Sequence, residues 1–155
     1  MPHNKGGIIM IYSSLHVNGC KFKELEFVIK KATMKGLYES AIVLMVESQK
    51  EIPIDTRAAH DSMFINMDVE TSNLGKVECG YGNINTKINP KTKLPTTMYL
   101  GYIHTGIGPD GKDIVFNNGK KKKFLENPFN RLLPTILAHV RIKVNKVINQ
   151  GGIGG

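Results

Sequence analysis

The stretch that decides the fold is EIPIDTRAAHDS, residues 51–62, which joins a helical pattern before it to an alternating strand pattern after it. Pro53 lacks the amide proton that a helix interior needs and disfavours helical backbone at Ile52, so a helix should end there. Asp55 and Thr56 have side-chain oxygens that fold back onto nearby backbone amides. The stretch therefore predicts a helix end, a specific turn and the start of a strand.

The residues before this turn predict one strand and one long helix. Residues 8–17 are rich in β-branched and aromatic side chains, which is typical of a strand, and we place it at an edge of the sheet. Residues 21–50 have apolar side chains every three to four positions, which predicts an amphipathic helix about 45 Å long. Gly36 in its middle either lets another element approach closely or bends the helix.

The residues after the turn predict an antiparallel hairpin. Apolar side chains occupy alternate positions in 63–70 and again in 76–81, with a turn-forming segment at 71–75 between them. Residues 98–104 are apolar and aromatic, which fits a strand or a short helix. Long polar loops are predicted on either side of them.

The C-terminal region predicts a second long helix. Asn127 is a good capping residue, Pro128 suits the first helical turn, and an apolar stripe begins at Phe129. Pro134 lies inside this pattern, so a kink or a restart of the helix is expected there. The order of elements predicts an α+β domain at 1–150, in which a long N-terminal helix and a C-terminal helix pack on an antiparallel sheet with long exposed loops. Residues 151–155 are predicted to be a flexible Gly-rich tail.

The composition fits a globular protein and excludes several classes. The chain has 155 residues, 41% of them hydrophobic and 22% charged, and has no apolar run near the ~20 residues that span a membrane. Cys20 and Cys79 are too few for a disulfide framework, so both are expected to be reduced and partly buried. The histidines lack zinc-helix spacing, and no phosphate-loop motif is present. We therefore predict no enzyme, cofactor or metal; the weighed exception is a metal-dependent nuclease using Asp55 and Asp61.

The net charge of +8 points to an anionic partner. Its densest cluster is the run Lys120-Lys121-Lys122-Lys123, in a loop that extends over 105–126. A run of lysines without interleaved arginine or aromatic residues binds phosphates or an acidic protein surface but cannot read a base sequence. Both a loop that faces solvent or protein and a contact with nucleic acid remain open.

Four short segments, in order along the chain, carry a family resemblance. The most specific is Ile52-Pro53-Ile54-Asp55-Thr56 with Ser62, and the others are Val17-Asn18-Gly19 with Leu25, Tyr102-Ile103-His104-Thr105-Gly106, and Asn127-Pro128-Phe129 with Pro134. In this order they resemble the neck, or head–tail joining (tail-completion), proteins of long-tailed bacteriophages. Arg57 stands where that family usually has Gly, His104 where it often has Glu, and Ile107 where it often has Thr.

The resemblance implies a non-enzymatic virion protein that forms a homo-oligomeric ring at the head–tail junction, around the channel that DNA passes through. It would be made in the host bacterial cytoplasm and would meet portal or adaptor, stopper or tail-tube proteins, with non-specific contact to channel DNA. The loop at 105–126 is our candidate docking segment. The residues expected to maintain the structural motif are Pro53, Asp55, Thr56, Ser62, Pro128 and Phe129. A basic nucleic-acid-binding protein is the alternative.

Overall fold

A computed structural model describes residues 8–14, 23–53, 58–68, 74–82, 88, 93 and 95–150. Within them the elements follow in the order β1 (Ile8–Ser14), α1 (Lys23–Glu51), α2 (Ala58–Asp61), β2 (Met63–Asp68), β3 (Leu74–Tyr81), α3 (Thr96–Thr105) and α4 (Glu126–Gln150). The predicted α+β class is confirmed, with two long helices and an antiparallel sheet. Of the described helices, none is both long and apolar enough to cross a membrane.

The sheet has three strands in the order β1-β3-β2, and both strand pairs are antiparallel. The predicted hairpin is confirmed, since β2 pairs with β3 from Met63 opposite Tyr81 to Asp68 opposite Lys76. The first strand lies at an edge, as predicted, because it pairs with β3 alone among the described strands. The chain order therefore differs from the spatial order, and the last strand in sequence lies in the middle of the sheet.

Helix α1 provides one wall of the core, and the sheet provides the facing wall. Its buried side chains recur at helical spacing, which turns one face towards β3; the most deeply buried are Met34, Leu37, Ala41, Leu44, Met45 and Ser48. The helix ends at Glu51, two residues before Pro53, and the Ile52 amide donates to the Ser48 carbonyl oxygen at 3.0 Å. The helix end predicted from Pro53 is confirmed.

Helix α4 packs along α1, and Gly36 marks their closest approach. A Cβ atom placed on Gly36 would lie 3.1 Å from the Cα atom of Val140. Of the two roles predicted for this glycine, close approach of another element is therefore the one that the structure supports. Helix α4 continues through Pro134 without interruption, so the predicted restart is wrong.

The start of α4 also corrects a prediction. Asn127 was expected to cap the helix, but α4 begins at Glu126, because the preceding turn already makes helical hydrogen bonds. The Asn127 amide donates to the Lys123 carbonyl oxygen at 2.9 Å, and the Asn127 side chain donates to the Lys122 carbonyl oxygen at 3.2 Å.

Residues 98–104, left open between strand and helix, form most of α3. The helix ends at Gly106, whose φ of +76° is a left-handed cap conformation that glycine adopts without strain. The loop that follows is folded back on itself, with a bridge between Ile107 and Asp113 in place of a longer hairpin. Its last two residues, Phe124 and Leu125, are buried in the core.

Candidate functional site

The lysine run lies at the C-terminal end of α1, and its first two residues form hydrogen bonds to the end of that helix. The Lys120 ammonium donates to the Lys50 carbonyl oxygen at 2.8 Å, and the Lys121 amide donates to the Glu51 carbonyl oxygen at 3.1 Å. Carbonyl groups in the last turn of a helix have no partner within the helix, so these bonds cap α1. Lys120 and the Lys121 backbone therefore have a structural role, and the two interpretations left open for the run concern its remaining side chains.

Lys123, the last residue of the run, also forms contacts within the protein. The Lys123 amide donates to the His104 carbonyl oxygen at 2.8 Å, and its ammonium lies 3.0 Å from Glu126. Lys121 and Lys122 are exposed, and their ammonium groups form no ion pair with any residue that the structure describes. These two side chains are the part of the run that remains available to a partner or a phosphate.

Ser62 links the start of β2 to the end of β3. Its hydroxyl donates to the Ala59 carbonyl oxygen at 2.7 Å and accepts a hydrogen bond from the Gly82 amide at 3.1 Å. The Gly82 amide also donates to the Ser62 carbonyl oxygen at 3.0 Å. Ser62 therefore makes hydrogen bonds to both ends of the hairpin, and its role in the motif stays a prediction. Asp55 and Thr56 lie outside the described residues.

The substitution Ser62→Ala is expected to lower the free energy of unfolding by about 1 kcal/mol, since each such hydrogen bond contributes about that amount. Ser62→Thr keeps the hydroxyl and is the matched control, expected to retain most of the stability. Urea unfolding followed by circular dichroism measures both. Equal stability of the alanine variant and the wild type would contradict this role.

Pro128 and Phe129 pack in or against the hydrophobic core. Pro128 is buried in the first turn of α4, and Phe129 packs against the central hydrophobic cluster. Their predicted structural role is consistent with these positions.

A buried polar and aromatic cluster was not predicted. The Tyr81 hydroxyl donates to Ser48 Oγ at 3.0 Å, and the Phe124 ring makes edge contacts with Tyr81 and His104. Burial raises the pKa of Tyr81 to about 12 and lowers the pKa of His104. Burial favours the neutral forms of both groups, and the edge contacts of their rings with Phe124 pack this cluster into the core.

The described residues offer little for catalysis. Burial raises the pKa of the free Cys79 thiol to about 11, which disfavours the nucleophilic thiolate; Cys20 lies outside the described residues. His60 lies 3.4 Å from Asp61, its neighbour in sequence, while His104 packs on Phe124. In the described ranges no group of three His, Cys, Asp or Glu side chains could hold a metal ion.

Ion pairs join α1 to α4 at two places. Glu39 lies 2.7 Å from His139 and 2.8 Å from Lys143. Nearer the C-terminal end of α1, Arg131 lies 3.1 Å from Glu51. The hydrogen bond from Lys143, followed by that from His139, lowers the pKa of Glu39.

The lowered pKa of Glu39 predicts a loss of stability in acid. A carboxyl group whose pKa is lower in the folded state stabilises the fold above its unfolded-state pKa, and that stabilisation is lost as the pH falls through the folded-state value. Wild-type stability is therefore expected to fall more steeply between about pH 5 and pH 3 than that of Glu39→Gln. Urea unfolding over this range is the measurement. Asp113→Asn, at an exposed carboxyl without an ion pair in the described structure, is the control; a Glu39→Gln profile parallel to wild type would contradict the assignment.

The largest unexplained feature is a row of exposed apolar side chains on α1 and β2. Their exposed fractions are 42% for Ile42, 52% for Val43, 49% for Val46, 38% for Met63 and 46% for Met67. We call Ile42, Val46, Met63 and Met67 the apolar α1–β2 face. Val43 lies on the side of α1 that faces α4, where it lines a cavity with Leu132 and Ile136. Single exposed apolar residues are ordinary, but a contiguous patch marks an interaction surface.

Contacts and register place the two halves of this face side by side. The Gln49 amide nitrogen lies 3.2 Å from Met63 Sδ, and Ile42 and Val46 precede Gln49 on the same side of the helix. Met67 lies four residue pairs further along β2 than Met63, on the same face of the strand and opposite Val77. Both methionines were predicted on the apolar side of β2; they remain exposed because β2 is an edge strand, whose outer edge pairs with no other described strand.

Sequence reasoning missed this face, although a signal was present. Residues 41–46 are six consecutive apolar residues within a helix. Six consecutive helical positions cover more than one full turn, so they cannot all face one core. Some of them had to point towards solvent or towards a partner.

Comparison with known proteins found no matching family model, no matching curated protein and no matching solved structure. The assignment of a function therefore rests on the residues and surfaces of this chain.

Proposed function

We propose that this chain is a structural virion protein that forms a ring at the head–tail junction of a tailed bacteriophage, around the channel for DNA. The observation that carries the proposal is the apolar α1–β2 face, which lies along an open sheet edge. The four-segment resemblance to head–tail joining proteins indicates which assembly this would be. An enzyme is not proposed, and no cofactor is needed.

The apolar α1–β2 face suits contact between copies of one chain. Closed rings use heterologous contacts, in which one surface meets a different surface of the next copy. Partly exposed Val, Ile and Met side chains favour association, because full burial of such a side chain is worth about 1.5–3 kcal/mol. The outer edge of β2, which pairs with no other described strand, offers backbone groups to the same neighbour.

The segments behind the resemblance have structural roles where they are described. Gly106 closes α3 in a left-handed conformation, which explains a glycine at that position. Pro128 and Phe129 fix the start of α4 in the core. Because Lys120 and Lys121 cap α1, deletion of the whole lysine run would disturb the fold, and docking through 105–126 falls to exposed side chains such as Lys121 and Lys122.

The proposal is tested by removing the gene from the virus that encodes the chain. We expect mature heads and complete tails to accumulate unjoined, and purified chain to restore joining when it is added to that extract. Electron microscopy and plaque titre give the two readouts. Normal joined particles without the chain would rule the proposal out.

A basic nucleic-acid-binding protein is the second candidate, favoured by the net charge of +8. It predicts that the isolated chain binds free duplex tightly and that loss of the gene disturbs DNA metabolism or packaging while any assembled heads and tails still join. The portal or adaptor, stopper and tail-tube proteins would then be irrelevant to it. The gene deletion separates the two candidates. Unjoined heads and tails would favour the head–tail protein, and joined particles with a defect in DNA metabolism or packaging would favour the nucleic-acid-binding protein.

A further inference from the structure

A second surface, distinct from the apolar α1–β2 face, brings several lysines together in a groove. A groove of about 310 Å³ runs between the N-terminal half of α1 and the C-terminal half of α4. We call it the basic groove, and its lining residues are Val28, Lys31, Ala32, Lys35, Lys143, Lys146, Val147 and Gln150. It lies away from the lysine run, which caps the opposite end of α1.

Three of the four lysines in the basic groove are free. Lys31, Lys35 and Lys146 are exposed, and they form no ion pair or hydrogen bond through their ammonium groups in the part of the chain that the structure describes. Lys143 is bound to Glu39, which neutralises its charge. The helices hold these positive charges close together because Gly36 lets α4 approach α1 beside the groove.

The shape of the groove fits an extended chain of phosphates. Its α1 wall extends from Val28 to Lys35, about 10 Å along the helix, a length over which one DNA strand presents about three phosphates. Lys31 and Lys35 lie one helical turn apart, with about 5–6 Å between their Cβ atoms, and Lys146 lies on the facing helix. Their three ammonium groups can therefore each meet a different phosphate of one strand. The apolar side chains of the lining offer no hydrogen bonds to base edges, so contact would be independent of sequence.

We propose that the basic groove binds the phosphate backbone of nucleic acid through Lys31, Lys35 and Lys146. The proposal rests on the proposed function only for the source of the ligand, which is the DNA that passes through the ring. It assigns DNA contact to the α1–α4 groove and leaves Lys121 and Lys122 to a protein partner. A polyphosphate backbone is favoured over an acidic polypeptide because its condensed counterions are released on binding, which adds to the attraction of three free lysines.

The test compares two triple variants of equal charge by fluorescence anisotropy. One is Lys31→Gln with Lys35→Gln and Lys146→Gln, and the control is Lys112→Gln with Lys121→Gln and Lys122→Gln. The probes are a labelled duplex and its single strand, titrated from about 50 to about 200 mM salt. The groove variant is expected to bind at least about tenfold more weakly at the lower salt, with a log–log salt slope smaller by about 2 to 3. The control is expected to keep the wild-type slope.

Each result decides the matter. The stronger wild-type ligand of the two probes identifies duplex or single strand as the source. The inference is overturned if the control loses as much affinity as the groove variant, or if wild type binds neither probe at low salt. If one of these results is found and heads and tails still fail to join in the gene deletion, the groove does not bind DNA but the proposed function still holds.

Discussion

Replacing Ile42 and Val46 together with glutamate is expected to leave a folded monomer that no longer assembles. Both side chains are 42–49% exposed in the single chain, so the fold tolerates charge there. In a ring the same positions would be covered by the neighbouring copy, and an unpaired carboxylate in an interface costs several kcal/mol. We therefore expect the association constant to fall by at least about a hundredfold. Sedimentation velocity and the head–tail joining assay measure it.

The matched control for this variant uses the far side of α4. Leu137 and Ile142 are 61% and 64% exposed, so Leu137→Glu with Ile142→Glu makes the same chemical change outside the apolar α1–β2 face. This variant is expected to assemble and join as wild type does. The role of the face would be contradicted by normal assembly of the Ile42 and Val46 variant, or by equal loss in the control.

Gly36→Val is expected to lower the free energy of unfolding by about 2–3 kcal/mol, although valine is a better helix former than glycine. The reason is backbone contact, because the new Cβ would lie 3.1 Å from Val140 Cα and 3.3 Å from its Cγ2. The helices must then separate, which also loosens the contacts of Glu39 with His139 and Lys143. Urea unfolding gives the change in free energy.

The control for Gly36→Val is its exposed neighbour on the same helix. Lys35→Val introduces the same side chain at an exposed position that lines the basic groove. It is expected to cost only about 0.5 kcal/mol, the usual penalty of a β-branched residue in a helix. Similar stability of the two variants would show that Gly36 is not the point that sets the distance between α1 and α4.

The elements with strong local signals could be predicted from the sequence. Pro53 ended α1 where expected, and alternation around Ile65 and Cys79 predicted the hairpin. Residues 98–104 were ambiguous because a short apolar run fits either a strand or a helix. The structure resolves them as helix, in which Leu100 and Ile103 lie on one buried side at a spacing of three.

The candidate surfaces were harder to predict because they depend on contacts between distant residues. The bond from Lys120 to the Lys50 carbonyl joins residues 70 apart in sequence, so the capping half of the lysine run could not be separated from the free half. Likewise, the exposure of Met63 and Met67 depends on the strand order β1-β3-β2, which local patterns do not specify. The basic groove likewise brings Lys31 and Lys35 of α1 beside Lys146 of α4, residues that lie far apart in sequence.

The location of the chain in the virus particle tests the central claim most directly. A chain carrying an affinity tag, labelled with gold in purified particles and imaged by electron microscopy, is expected to place label at the junction of head and tail and nowhere else on the virion. Averaged images should show a closed ring there, around the channel. Label on the capsid surface or tail tip, or particles that contain none of the chain, would contradict the account.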